Sequence, residues 1–335
     1  MGEREWVGLA GLGVLLILLL LRIPVGLAMV VTGIGGAWVL SLVAPFLRFE
    51  PYLRQFKTLL WDTVANYELS VVPLFILMGY LAAHGGLSRD LFRGFYALVG
   101  RWPGGVAVAT VGACAGFGAV CGSSLATAST MGRVALPELY RVGYAPALAT
   151  GVLAAGGPLG ILIPPSVALV LYSVVVEVSI IDAFRAAVVP GLMAVVAFAG
   201  LTALTAWRRP DLAPSIPPPD PRQRRRDLAG LVPVALIFAG LLVGLGLGLF
   251  TPTPAAGIGV LAVLGYGLFK GWRGHGLGWH GLRQSLLDTA VTAGMIYFIL
   301  FAAEVLKGFF ARAGLPAALA GWAAASGLDP WVILA

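Results

Sequence analysis

Charge is what this chain has least of. Asp, Glu, Lys and Arg together make up 11% of its 335 residues, against roughly 25% in a soluble domain. A water-facing surface cannot be built from so few. The mean hydropathy of +0.93 agrees, and the class that follows is a polytopic membrane protein. Cysteine and histidine are scarce too, at two and three. Cys114 and Cys121 stand among apolar and small residues and read as free thiols packed in protein. With three scattered histidines they offer no metal-ligand spacing. There is no HExxH, no pair of intramembrane acids and no nucleophile beside a base, which argues against a membrane-embedded enzyme. The net charge of +7 does not point to nucleic acid. Its densest cluster sits in one loop between apolar runs, where arginine sets membrane orientation. The opening MGEREW has mixed charges and no prompt small-residue cleavage site, unlike a signal peptide. Residues 6–21 therefore read as a retained membrane helix, slightly short of the roughly 20 residues of a full span.

Apolar runs recur to the end of the chain, near 24–47, 69–83, 104–119, 148–163, 167–178, 183–207, 228–250, 254–269, 290–306 and from 316 onward. Several are too short or too rich in glycine to cross alone, so half-helices and hairpins are expected among them. Three linking stretches look amphipathic and suited to the headgroup plane. Tyr52, Phe56, Leu59 and Leu60 form one stripe. Leu87, Leu91, Phe95 and Leu98 form the second, with Ser88 as its N-cap. Trp279, Leu282 and Leu286 form the third, with His280, Arg283 and Gln284 facing away. Residues 208–227 read as a non-helical Pro/Arg-rich loop. Its arginines 208, 209, 222, 224, 225 and 226 place it in the cytoplasm. An inverted first unit would then place the N-terminus outside and Arg22 inside. Arg48, Arg54 and Lys57 run against it, a conflict that an interfacial helix would soften.

The most informative residues break helices. Residues 121–132 read CGSSLATASTMG, and 156–166 read GGPLGILIPPS. Irregular backbone at membrane depth is tolerated where protein buries it or a water-filled cavity lines it. In a hairpin tip, Gly122, Ser123 and Ser124 with Thr127, Ser129 and Thr130 would expose carbonyl and hydroxyl oxygens suited to a hard cation. The same small residues would also serve a close helix–helix contact. Around Gly156, Gly157 and Gly160, the pair Pro164–Pro165 removes two amide donors and frees carbonyls a turn back. A helix restarting near Ser166 would aim its positive end at the break; a kink for packing is the other reading. Thr251 and Thr253 flank Pro252, where a threonine N-cap is the plain reading. Glu177, Asp182 and Glu304 are the carboxylates nearest the membrane and read as interfacial or paired.

The chain also repeats itself weakly. LLWDT at 59–63 answers LLDT at 286–289, with aspartates 226 apart (62 and 288). Gly86-Leu87 and Gly314-Leu315 lie 228 apart (86 and 314), as do Pro24 and Pro252. A duplicated unit follows: a first repeat over 1–207, with a hairpin at 104–135 and a broken helix at 148–178, then the loop 208–227, then a second repeat over 228–335. On this reckoning the second copy stops before its own hairpin.

The motifs GRWPGG (100–105), CGSSLATASTMGRVALPEL (121–139), GVLAAGGPLGILIPPS (151–166) and GLFTPT (248–253), with ELSVVPLFILMGYLAAHGGLS at 68–88 and SIIDAFRAAVVPG at 179–191, resemble the large permease subunit (DctM type) of tripartite ATP-independent periplasmic, or TRAP, transporters. The resemblance covers nearly the whole chain. It implies an inverted-repeat, elevator-type secondary transporter in the bacterial inner membrane, importing a small organic acid such as a C4-dicarboxylate. Sodium is the implied coupling ion and no organic cofactor is implied. The implied partners are a small DctQ-type membrane subunit and a periplasmic solute-binding protein. The ion and substrate residues it implies are Gly122, Ser123, Ser124, Thr127, Gly156, Gly157, Pro164, Pro165, Ser166, Thr251 and Thr253, with sodium on the carbonyls of 122–124. Cys121 stands where the family usually has serine, and Pro254 where it usually has glutamate. The family's second hairpin has no counterpart here, so a shortened, non-transporting scaffold is the alternative expectation.

Overall fold

The computed structural model describes residues 2–44, 46–214, 220–274 and 276–325. Residues 215–219 of the proline-rich loop and the last ten residues of the final apolar run lie outside the described residues. Among the described residues the regular structure is α-helix with one 3₁₀ turn and no strand, so the protein is an all-α polytopic membrane protein. Among the described residues five helices are long and apolar enough to cross a membrane: Val25–Val43, Ile180–Arg208, Pro221–Gly246, Pro252–Trp272 and Trp279–Ala313. The bent pair Pro146–Leu162 and Val167–Val176 meets the same test as one span.

The chain folds into two compact units. The first is formed by residues up to Asn66 together with those from Gly294 onward. It holds α1 (Glu3–Leu20), α2 (Val25–Val43) and α3 (Phe49–Val64). The C-terminal part of a long helix, Trp279–Ala313, and the helix Leu315–Ala325 complete it. Its core is Leu15, Ala28, Leu40, Tyr52, Val305 and Phe309. Gly11 and Gly36 admit the Phe309 ring so closely that a Cβ on either would overlap it. Tyr52, buried on α3, donates its hydroxyl to the Val305 carbonyl at 2.6 Å. The α3 stripe is narrower than the sequence suggests: Tyr52 is buried and Phe56 and Leu59 half-buried, while Leu60 faces outward.

The second unit, Tyr67–Ala293, opens with the 3₁₀ turn Glu68–Ser70, then α4 (Val71–His84), α5 (Leu87–Val99), α6 (Gly105–Cys121) and α7 (Ser124–Arg141). Next come α8 (Pro146–Gly156), α9 (Leu159–Leu162), α10 (Val167–Val176), α11 (Ile180–Arg208), α12 (Pro221–Gly246), α13 (Pro252–Trp272) and the first turns of α14 (Trp279–Ala313), whose successor is α15 (Leu315–Ala325). Helix α6 is its centre. Small and apolar on every side, it is buried at all positions but Gly112 and Gly116, and these two lie against Phe95 and Leu91 of α5. A helix apolar all round belongs inside.

Two local expectations need correcting. The N-cap of α5 is Gly86 in the left-handed region (φ 81°), and Ser88 is buried inside the helix. The arginines 222–226 are helical, because Pro221 starts α12 at the position where proline's missing amide costs nothing. The stripe of Trp279, Leu282 and Leu286 opens the long helix Trp279–Ala313, where Trp279 and Leu286 are exposed while Ser285 and Thr289 are buried. In lipid the apolar face turns outward and small hydroxylated residues make the helix contact.

Element spacing repeats along the chain. Helices α2 and α13 start 227 residues apart (25 and 252), and α5 and α15 start 228 apart (87 and 315). Gly86 and Gly314, each just before one of the latter pair, have φ of 81° and 73°.

Candidate functional site

Helices α6 and α7 pack on each other and are joined by the two-residue turn Gly122-Ser123. Gly122 adopts φ +62°, and its amide closes α6 onto the Gly118 carbonyl at 2.7 Å. This left-handed cap suits glycine, which has no Cβ to clash. Ser123 then extends (φ −134°, ψ 127°) and its Oγ accepts the Ala126 amide at 3.4 Å, starting α7. Thr127, fully buried, donates its hydroxyl to the Ser123 carbonyl at 2.7 Å, and Cys121 Sγ lies 3.1 Å from the same hydroxyl.

The second break has the same form. Helix α9 ends at Leu162; Ile163 extends, as a residue before proline must. Pro164 and Pro165 follow, both buried. Ser166, with no exposure, takes φ −128° and ψ 128° and caps α10 by accepting the Leu169 amide at 3.4 Å. The two cap serines therefore share one backbone conformation, each opening a helix. The bend between the two halves is 44°.

The breaks meet. The Val167 amide donates to the Gly122 carbonyl at 3.1 Å. A Cβ on Gly122 would stand 3.0 Å from the Pro165 carbonyl, and one on Gly160 would stand 2.8 Å from the Ser123 carbonyl. Gly118 faces the Gly160 backbone, Gly157 faces Ala128, and Gly156 faces the Cys114 thiol. Behind the turn, Gly79 of α4 lets that helix approach the Cys121 backbone. Gly122, Ser123, Thr127, Gly157, Pro165 and Ser166 are thus brought to one junction. Ser124 is the first residue of α7 there, Pro164 lies in the second break and Gly156 lies at the end of α8. Thr251 and Thr253 are not part of this junction's contacts: they open α13, which packs on α4 and α12, and Thr251 stands at the N-cap without a side-chain bond. Gly118 and Gly79 escaped the sequence reading, since nothing but the packing marks them out from other helical glycines.

Chemically the junction is a set of oxygens and dipoles. Pro164 and Pro165 supply no amide to the Gly160 and Ile161 carbonyls. Among the described residues no amide crosses the turn to the carbonyls of Ala119, Val120 and Cys121. The positive ends of α7 and α10 lie at the same place, and neither break contains a charged side chain. Among the described residues no three His, Cys, Asp or Glu gather as metal ligands. Carbonyl and hydroxyl oxygens are what the breaks chiefly offer, with the Cys121 thiol beside Thr127.

Residues 12–335 match the family described as the tripartite ATP-independent periplasmic transporter, DctM component. The chain is 31% identical to the C4-dicarboxylate TRAP transporter large permease protein DctM of Rhodobacter capsulatus, over 96% of this chain and 73% of that protein. It is 32% identical to the protein of the same name from Pseudomonas aeruginosa, over 90% of this chain and 68% of that one. It is 30% identical to the ectoine/5-hydroxyectoine TRAP transporter large permease protein UehC of Ruegeria pomeroyi, over 86% of this chain and 64% of that one. The chain belongs to the DctM family of TRAP transporter large permeases, and is a multi-pass inner-membrane transport protein and not an enzyme.

Proposed function

We propose that this permease imports a small organic acid, a C4-dicarboxylate or a related carboxylate, together with sodium. A periplasmic binding protein delivers the acid, and a small DctQ-type subunit sits beside the permease in the membrane. The observation that carries this reading is the Val167–Gly122 bond, which locks two capped helix breaks into one junction. Sodium, as cargo, would take carbonyl oxygens at the end of α6 and around Gly122, Ser123 and Ser124, with the Thr127 hydroxyl close by. A substrate carboxylate would lie at the positive ends of α7 and α10, where the amides of Ser124, Leu125 and Ala168 favour an anion. Two relatives named for C4-dicarboxylates support the choice of acid. The repeated element spacing supports a duplicated unit, and the family resemblance supports reading it as an inverted, elevator-type repeat.

The test is uptake of labelled succinate into proteoliposomes holding the permease, its small subunit and its binding protein, with sodium or potassium outside. Uptake that needs sodium and falls at least roughly tenfold in Ser166→Ala or Thr127→Val is the expected result. Uptake equal in sodium and potassium would overturn the coupling. Wild-type uptake in both variants would remove the site.

A further inference from the structure

Helix α5 carries a second feature that the transport reading does not use. At its N-terminal end a hollow of about 390 Å³ is lined by Arg89, Arg93, Lys270 and Arg273, against one carboxylate, Asp90. That carboxylate is already engaged: Lys270 Nζ lies 2.5 Å from its Oδ2, and the Tyr266 hydroxyl donates to the same oxygen. A second hollow of about 450 Å³ shares Gly86 and Arg89 and adds Arg133 and His84 with no carboxylate. Arg89 therefore stands between two cavities, and among the described residues it has no ion pair. Arg93 has the Glu138 charge in its vicinity, but Glu138 is held by Arg141 at 2.5 Å. Among the described residues Arg89 and Arg93 are left as guanidinium groups with no carboxylate of their own, an arrangement suited to an oxyanion.

The position says which oxyanion. Lys270 lies in the last turn of the spanning helix α13. Trp272 and Trp279 beside it are 88% and 80% exposed, and Phe269 is half exposed, the aromatic belt of a headgroup region. Arg224, at the start of α12, donates to the Ala97 carbonyl of α5 at 2.9 Å. The α5 helix thus runs along the side where α12 begins and α13 ends, the side of the arginine-rich stretch, which the charge rule places in the cytoplasm. Basic pockets at that level are suited to phospholipid headgroups.

We propose that this hollow seats the phosphate of an anionic phospholipid from the cytoplasmic leaflet. Arg89 and Arg93 fork its oxygens, and the exposed rings of Phe269 and Trp272 meet its acyl chains. The site is distinct from the junction of the helix breaks and does not depend on what the permease carries.

The full chain in an uncharged detergent, titrated with short-chain phosphatidylglycerol and read by native mass spectrometry, tests this. One saturable site is expected, weakened roughly thirty-fold in Arg89→Ala/Arg93→Ala, since each surface arginine contributes roughly a factor of five. Arg54→Ala, at an exposed pair on α3, is expected to leave it unchanged. Phosphatidylcholine, inorganic phosphate and succinate are each expected to bind at least roughly tenfold more weakly. Phosphatidylglycerol binding that ignores the double substitution overturns the proposal. Inorganic phosphate or succinate binding as tightly at the same arginines also overturns it, in favour of a soluble anion. Should the double variant fail to fold, lipid co-purified with the unmodified protein decides. Enrichment of anionic over zwitterionic lipid relative to the host membrane supports the site, and no enrichment overturns it.

Discussion

Gly160 has no side chain because another chain segment occupies the space. A methyl there would reach 2.8 Å from the Ser123 carbonyl and closer still to the Thr127 hydroxyl. The carbonyl is backbone, held by the Thr127 amide and hydroxyl at 3.0 and 2.7 Å, so it cannot step aside. Overpacking of this kind costs about 1–3 kcal/mol. Gly151, on the adjoining α8, has nothing within 4 Å of an added Cβ, and glycine to alanine in an open helix position gains roughly 0.5–1 kcal/mol. Gly160→Ala is therefore expected to lower the Tm of the purified protein and abolish any rise on adding sodium, while Gly151→Ala keeps or raises it. Equal melting of the two would mean that the breaks do not hold each other. At this scale the sequence was partly readable. Glycine at 122, serine at 123 and 166 and the double proline announce their own backbone, since each acts on its immediate neighbours. The bond from Val167 to Gly122 does not announce itself. It joins segments far apart along the chain, and only the packing of α6 on α8 and α9 brings them together.

Between elements, the contact of α5 with α13 rests on a single carboxylate. Asp90 receives Lys270 and the Tyr266 hydroxyl, with side-chain exposures of 16% for Asp90 and 22% for Lys270. Asp90→Asn leaves a cation half-buried and without its counter-charge, a loss of about 1–3 kcal/mol. A double-mutant cycle with Lys270→Met checks this. The lysine substitution is expected to cost less in the Asp90→Asn background than in the native one, and additive costs would remove the pair from the account. The cycle says nothing about lipid, since both partners change. Element-scale reading from sequence fails where lipid replaces water as solvent. The stripe of Trp279, Leu282 and Leu286 is legible as an amphipathic face, but that Ser285 and Thr289 are the residues buried beside it is not. The buried Ser285 meets His84 Nδ1 of α4 at 3.0 Å, and one turn beyond Thr289 the Thr292 hydroxyl meets that of Tyr80 at 2.9 Å. Where proline lies matters as much as how often it occurs. Those of 210–219 are separate from Pro221, which opens α12, so arginines 222–226 are helical rather than part of a loop.

Over the whole molecule the arginine-rich stretch and the repeat spacing make a joint demand on topology. With arginines 208–226 inside, α12 leaves the cytoplasm and α13 returns to it, delivering Lys270 and Arg273. If the first copy is inverted relative to the second, the N-terminus lies outside. The protein supplies its own quiet background for testing this. Its two cysteines are buried, Cys114 at 0% and Cys121 at 1% exposure, so a membrane-impermeant maleimide has no native thiol to reach. Single cysteines placed at exposed Gly2 and at exposed Arg225 can then be read without removing Cys121, whose thiol lies on Thr127. In intact spheroplasts, Gly2→Cys is expected to label fully and Arg225→Cys only after permeabilisation. Arg54 on α3 is the discriminating third position. The charge rule applied to Arg48, Arg54 and Lys57 alone would place it inside, whereas an inverted first copy places it outside on an interfacial helix, accessible from the start. Labelling of Arg54→Cys in intact cells, together with Gly2→Cys, fits inversion. Protection of both until permeabilisation reverses the orientation of the first copy, and two copies of like orientation could not form an inverted repeat.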